Sequence, residues 1–492
     1  MTESLRDKSL SAFFWVLVDK LGGSVANFVV TLVLARLLMP EDFGLVAMVM
    51  VFFEISSSFI QSGFGYALVR EKNISEIDKS TTFLFNLATA VFLYAVLFVA
   101  APFIAAFFRQ DLLTAIVRVM GLNLIIGSFS IVQHAVLAQK IDFKTMTKVR
   151  LAAVVFSGAC AIVLAFREFG VWSLVARIGL MELAGTIALW VLNPWKPSWQ
   201  FSRASFRKLF GFGSKILAEA LIDKSFRHLV QIIIGRAYSA AMLGFFAQAN
   251  TFCNMTAGNF LQTIQKISYP VLARMHDDVQ KLKAGYRQII AMSSFVILPV
   301  MTFMGVLADP LVVTLAGEKW RESVPFLQLL CAGGAVWHLN SINLDVLLVL
   351  GRVDLSLRLE IIKKGITALA IIIGMQFGIY GLVAGQVAAV YLSLFINTWY
   401  TDRLLNYTWR EQARDVAATA GFSLITGSMV FLFEMYVKFA GVWVLLGGFG
   451  IGFALYAGLH LATSTKEVHF LKTIVLPKIR KTLASRGIIQ AS

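Results

Sequence analysis

Cysteine is nearly absent: the 492-residue chain holds three, Cys160, Cys253 and Cys331, each inside an apolar run. They have neither the spacing of zinc ligands nor that of a paired extracytoplasmic framework, so no disulfide and no metal site is expected. Charge is scarce too, at 15% Asp, Glu, Lys and Arg, and acidic residues are scarcest, 28 against 44 Lys and Arg. The formal net charge of +16 is scattered in short clusters between apolar runs. No basic domain results, and nucleic acid is set aside as a partner. Long hydrophilic loops are missing as well, the longest on the expected outer side being "DPLVVTLAGEKWRES" at 309–323. No nucleophile–base pair, carboxylate pair or cofactor motif is recognisable, so the residues point to no enzyme and no cofactor.

What the chain has in excess is apolar surface. At 58% hydrophobic residues and a mean hydropathy of +0.75, it exceeds what a soluble domain of this size could bury. An all-α polytopic membrane protein follows. A span needs about 20 apolar residues, and that rule places segments near 10–36, 43–64, 81–107, 113–139, 151–166, 169–192, 209–236 and 243–268. Six more fall near 288–308, 324–350, 356–376, 378–400, 415–435 and 440–463, giving fourteen. The start "MTESLRDKSL" runs into an apolar stretch without a small-residue cleavage site, and reads as part of a retained first span. With both termini placed in the cytoplasm, most Lys and Arg fall in the inner loops, among them "KIDFKTMTKVR" and "ARMHDDVQKLKAGYR". That asymmetry is the positive-inside pattern. The basic tail at 464–492 either lies on the inner leaflet or is a solvated end.

Internal symmetry is a pointer to a transport site. A shift of 200 residues aligns "LVLARLLMPEDFGLVAMVM" with "IIIGRAYSAAMLGFFAQAN", matching Arg36 to Arg236, Gly44 to Gly244 and Ala47 to Ala247. The expected organisation is an N-lobe at 1–200, a C-lobe at 201–405 and two further spans at 406–463. Polar residues sharpen the symmetry. At about 100° per residue, Lys20, Ser24, Asn27 and Thr31 share one narrow helix face. At the same offset the seventh span carries Lys224, Arg227 and Gln231 on a stripe, with Asp223 at its edge and Glu219 in the register of Asp19. Ions inside hydrocarbon cost roughly 2.5–3.5 kcal/mol each on insertion scales, so such residues usually face a partner helix or water. The expected site is an aqueous cavity between lobes, with Lys20, Ser24, Asn27, Thr31, Lys224, Arg227 and Gln231 as its wall. Asp19, Glu54, Glu219, Asp223 and Asp345 are expected to tune those cations or bind a coupling ion.

A plainer reading stands beside this one. Lys215 with Glu219 and Asp223 with Arg227 are i,i+4 pairs that could neutralise each other. Glu54, Ser57 and Gln61 share a face of the second span, and His338, Ser341 and Asp345 share a face of the tenth. Arg118 and Glu182 are further polar residues inside spans. For His134 and His338 an interhelical hydrogen bond is favoured over a proton relay, and Arg36, Arg177, Arg236 and Lys266 are expected to snorkel to the interface.

The stretches "MPEDFGLVAMVMVF", "ALVREKNISEIDKSTTFLFNL", "PVLARMHDDVQKLKAGYRQ" and above all "LAGEKWRESVPFLQLLCAGG", followed by "GRVDLSLRLEIIKK", resemble the bacterial polysaccharide flippases of the colanic acid exporter type. Gly317, Glu318, Lys319, Trp320 and Pro325 are the most specific part, and the resemblance covers nearly the whole chain. It implies the superfamily that also holds multidrug antiporters and peptidoglycan lipid flippases: two pseudo-symmetric six-helix lobes around a central cavity, plus two C-terminal helices. It implies an undecaprenyl-pyrophosphate-linked oligosaccharide as substrate, the bacterial inner membrane as location, and polymerase and chain-length proteins of the same pathway as further partners. No individual site residue is transferred on that ground. Two rivals stay open: a membrane polymerase or ligase of the same pathway, and a multidrug antiporter of the same fold.

Overall fold

The computed structural model describes residues 5–61, 68, 74–437, 441–470 and 472–473, and the described residues are helical apart from short connections. The expectation for the basic tail therefore lies largely outside the described residues, beyond 473. Contacts divide the chain into two compact units, Met1–Gln248 and Ala249–Ser492.

The first unit contains α1 (Leu5–Leu37), α2 (Pro40–Gln61), α3 (Glu76–Phe108), α4 (Leu113–Gln139), α5 (Phe143–Phe166), α6 (Val171–Leu192), α7 (Arg203–Arg227) and α8 (Leu229–Ala237). Helix α9 (Ala240–Cys253) begins in this unit and carries the chain into the next. Antiparallel neighbours pack in sequence, α3 on α4 and α5 on α6, while α1 lies along α5 and α4 along α6. At one end Phe83 sits edge-to-face with Phe129, Trp190 and Trp195, an arrangement that suits the ring quadrupoles. The Trp195 indole donates to Glu76 Oε2 at 2.8 Å. The amides of Ser198 and Ser202 donate to Ser80 Oγ and Thr81 Oγ1 at 2.9 and 3.0 Å. The non-helical linker before α7 is thus held to the first turns of α3, which open on a capping box between Ser75 and Asp78.

The second unit contains α10 (Asn259–Ala273), α11 (Val279–Val306), α12 (Ala308–Ala316), α13 (Val324–Val349), α14 (Val353–Met375), α15 (Gly378–Leu405), α16 (Trp409–Tyr436), α17 (Gly441–Ala462) and α18 (Lys466–Phe470). Helix α11 packs on α13 and α16, and α15 on α13 and α14. The motif around Gly317 proves architectural. Gly317 adopts φ 106° at the end of α12, a left-handed conformation that favours glycine. The following 3-10 turn Glu318–Ser323 buries Trp320 completely. Arg321 closes that turn with Asp309 and Glu318 at 3.0 and 2.9 Å.

Ten helices among the described residues are long and apolar enough to cross a membrane. All fourteen expected spans are helical over their described residues, and the other four show where apolar counting is least informative. The seventh is divided at His228 into α7 and α8. The eighth runs through α9, a π turn at Asn254–Gly258 and α10. The tenth and eleventh, α13 and α14, are continuous but carry polar residues through their length, including His338, Asn343, Asp345, Lys363 and Lys364. The largest boundary differences are helices that start earlier than the apolar run. The fifth span, expected from 151, starts at Phe143 behind the Asp142 cap, and the ninth, expected from 288, starts at Val279 behind Asp278. Polar turns outside the hydrocarbon extend helices without adding hydropathy. Asp278 accepts the amides of Gln280 and Lys281 at 3.1 and 3.0 Å; the Lys281 amide, and then its ammonium, hold this carboxyl below the usual aspartate range.

Candidate functional site

The polar face of α1 lies against cations from α5 and α6. Arg177 of α6 donates from Nη1 to Thr31 Oγ1 at 3.1 Å and from Nη2 to the Asn27 carbonyl at 3.0 Å, and also reaches Asn27 Oδ1. Thr31 in turn donates to the Asn27 carbonyl at 2.8 Å. The expectation that Arg177 snorkels away is corrected: its planar fork finds three acceptors on one neighbouring helix, which a single ammonium could not satisfy in the same geometry. One turn and more along α1, Asp19 Oδ2 accepts from Arg150 Nη1 of α5 at 2.9 Å. Asp19 is thus tolerated by a partner helix. Lys20 and Ser24 are half-buried on the same helix.

Two cavities open beside these groups. One, of about 530 Å³, is lined by Phe53, Ser57, Asn123, Ser130, His134 and Glu182. The other, of about 350 Å³, is lined by Asp19, Asn27, Ser130, His134, Arg150 and Glu182. Ser130, His134 and Glu182 belong to both walls. The first unit therefore holds open space of mixed lining, with the Asp19–Arg150 pair on one wall and a carboxylate and an imidazole shared between the two cavities.

A second cluster joins α2 to α7. Lys224 Nζ donates to the Glu54 backbone carbonyl at 3.1 Å. Ser57 and Ser58 donate to the same oxygen at 2.9 Å each. The Glu54 carboxylate lies 3.0 Å from His228 Nε2, and His228 Nδ1 lies 2.6 Å from Gln231 Oε1. An imidazole between a carboxylate and an amide is a place where a proton can be taken up or released without moving the backbone.

Arg227 pairs with Asp223 one turn back, as the plainer reading anticipates, and both side chains keep contact with solvent-accessible space. The side chains of Lys215, Glu219 and Gln61 lie outside the described residues. In the second unit Asp345 accepts from Ser268 Oγ at 2.9 Å. His338 lies 2.8 Å from Ser294 Oγ, the interhelical hydrogen bond expected of it, and Ser341 accepts from Gln265. This face of α13 is thus occupied by α10 and α11. Arg236 stacks 5.5 Å from the Phe107 ring centroid, and Arg118 lies 4.3 Å from that of Phe98, both cation–π contacts.

Two participants escape the sequence reading. Arg150 was counted with an inner loop, because apolar counting starts the fifth helix at 151; with α5 starting at Phe143 it faces α1 from within a helix. His228 follows Lys224 by four residues and precedes Gln231 by three, so the stripe already contained it.

The fold is that of polytopic helical transporters. A solved lipid II flippase MurJ in its inward closed conformation superimposes with a TM-score of 0.73, covering 92% of this chain and 98% of that one at 12% identity. An inward-facing multidrug resistance MATE family transporter gives 0.63, covering 79% of this chain and 98% of the other at 15% identity. Residues 33–325 match the family described as polysaccharide biosynthesis protein, and the chain belongs to that family. Its curated relatives include the teichuronic acid biosynthesis protein TuaB of Bacillus subtilis (strain 168), 25% identical over 60% of this chain and 62% of the relative. The lipopolysaccharide biosynthesis protein WzxC of Escherichia coli (strain K12) is 22% identical over 80% and 81%. The succinoglycan biosynthesis transport protein ExoT of Rhizobium meliloti (strain 1021) is 22% identical over 91% and 92%.

Proposed function

We propose that the protein moves an undecaprenyl-pyrophosphate-linked oligosaccharide repeat unit across the bacterial inner membrane, for exopolysaccharide or O-antigen biosynthesis, without changing it chemically. The observation that supports this reading is the cationic side of the first unit, where Arg150 lines a cavity beside the polar stripe of α1 and Arg177 is bound to Asn27 and Thr31 of that stripe. A lipid-linked sugar has a polar head that hydrocarbon excludes, a pyrophosphate that Arg forks suit, and an isoprenoid tail that can remain in lipid. Lys20, Lys224 and Arg227 then meet the phosphates. Ser24, Asn27, Thr31 and Gln231 offer hydrogen bonds to sugar hydroxyls. Asp19, Glu54, Glu219 and Asp223 tune those cations or carry a coupling ion, with Glu54 beside His228 the best placed of them on geometry, while Asp345 of the second unit would act only as a coupling-ion residue. In this account both termini lie in the cytoplasm, the repeated halves at 1–200 and 201–405 rock in alternating access, and polymerase and chain-length proteins take over the delivered units.

A second reading, a multidrug antiporter, is favoured by one observation: the Glu182 carboxylate lines both cavities, as a site for organic cations would require. Deleting the gene separates the two. Accumulation of intact lipid-linked repeat units on the cytoplasmic leaflet, with loss of extracellular polymer, supports the flippase. Normal polymer together with sensitivity to cationic drugs supports the antiporter. Intact units reachable by an external sugar-modifying enzyme in the deletion strain point to a polymerase or ligase instead.

A further inference from the structure

We propose that the second unit carries a binding site for the phosphodiester headgroup of an anionic phospholipid, at the ends of α11 and α16 beneath the segment that follows α17. The site is a cavity of about 860 Å³. Four cations, Lys283, Arg287, Arg414 and Lys466, line it against two carboxylates, Asp415 and Glu467.

The cations are not equivalent. Arg287 is spent on Asp415, donating from Nε and Nη2 at 2.7 Å each, and Tyr407 Oη donates to the same carboxylate at 2.8 Å. Lys283 is spent on both Glu411 oxygens at 3.1 Å and on the Asn406 carbonyl. These contacts build a rigid, neutralised floor. Lys466 approaches Asp415 only to 3.9 Å and keeps 87% of its side chain exposed. Arg414 is exposed and forms no ion pair among the described residues. Two cations at the mouth are therefore left facing a carboxylate that two other donors already satisfy. An anionic phosphate placed between Arg414 and Lys466 would gain charge-assisted hydrogen bonds that nothing inside the cavity supplies.

The other wall is apolar, made by Ala284, Ala291, Met292, Ala418 and Phe470. A free phosphate has no use for it, whereas a glycerol backbone and the first methylenes of an acyl chain would bury against it. Position agrees. The cavity lies where α11 and α16 leave the membrane, at the helix ends served by the basic loops, the side on which anionic leaflet charge attracts Lys and Arg. The inference rests on the membrane placement of the chain and not on which substrate is carried.

Native mass spectrometry of the full chain, purified from nanodiscs of phosphatidylglycerol or of phosphatidylcholine, tests it. Phosphatidylglycerol should stay bound where phosphatidylcholine does not. The double variant R414S/K466S, which removes both charge-assisted contacts, should lose roughly tenfold or more of that retention. The charge-preserving R414K/K466R variant should keep most of it, which separates lost recognition from lost folding. A parallel arm measures stabilisation by inorganic phosphate in neutral detergent: a variant-sensitive effect there without lipid retention would assign the same cations to a soluble phosphate and overturn the lipid. Equal retention of both lipids, or equal retention by the wild type and R414S/K466S, would overturn the site.

Discussion

Gly44 and Gly244, matched in sequence by the 200-residue repeat, pack on each other's helices in the structure. A methyl added to Gly44 would stand 1.7 Å from the carbonyl oxygen of Ala240, and one added to Gly244 would stand 1.9 Å from that of Pro40. Ala240 is itself the repeat equivalent of Pro40, so α2 and α9 cross in a self-complementary way that only glycine permits. Close backbone approach of this kind is a known means of joining helices where lipid supplies no hydrophobic drive.

Substituting either glycine by alanine should therefore push the helices apart. A cost of about 1–3 kcal/mol is expected for overpacking each site, read as a lowered melting temperature in detergent. The double substitution should cost less than the sum, because both methyls disrupt one crossing. Strict additivity would show that the two sites are independent.

Arg177 tests the α1 stripe. Replacement by Lys should impair polymer export nearly as much as replacement by Ala, because one ammonium cannot serve Thr31 Oγ1 and both Asn27 oxygens together. Losing an interaction worth roughly 1.4 kcal/mol corresponds to about a tenfold effect. Arg236, stacked on Phe107, should tolerate Lys with little change. Equal tolerance at both positions, at equal membrane abundance, would remove Arg177 from the site.

The Glu54–His228 contact should behave as a unit. Glu54→Gln and His228→Asn should each reduce export, and the double variant should be no worse than the poorer single one, as expected for partners in one network. Measured together with the proton gradient collapsed, the wild type should fall toward the Glu54→Gln level. A wild type indifferent to the gradient would exclude proton coupling at this cluster while leaving its part in substrate binding to the single variants.

Orientation can be read with single cysteines in a cysteine-free background. Asp277 is the better inner probe, because its side chain is 87% exposed while the neighbouring Asp278 caps α11. Glu318, 67% exposed, is the outer probe. A membrane-impermeant thiol reagent on intact spheroplasts should label position 318 and spare 277. Labelling of 277 alone would reverse the topology.

Much of the architecture was legible because apolar runs must be helical in hydrocarbon, and the repeat found Gly44 and Gly244 before any contact was visible. What composition could not show was which side chains meet. Asp19 does line a cavity, but its ion pair shows only when α5 is extended back to Phe143 and brings Arg150 to it. Arg177 resembles an interfacial anchor until α6 turns it onto Asn27 and Thr31. Such pairings depend on helix rotation, which hydropathy does not encode. The α13 face of His338, Ser341 and Asp345 illustrates the converse, a periodic polar stripe consumed by packing against α10 and α11.

The most direct measurement is reconstitution. Purified protein is placed in liposomes carrying undecaprenyl-pyrophosphate-linked repeat units, and the fraction open to an added sugar-modifying enzyme is followed with time. The account predicts that inner-leaflet units become accessible in the presence of the protein, that their mass stays unchanged before the enzyme is added, and that an Arg177→Ala variant is slow. Accessibility that never rises above that of protein-free liposomes, or units joined into longer chains, would contradict it.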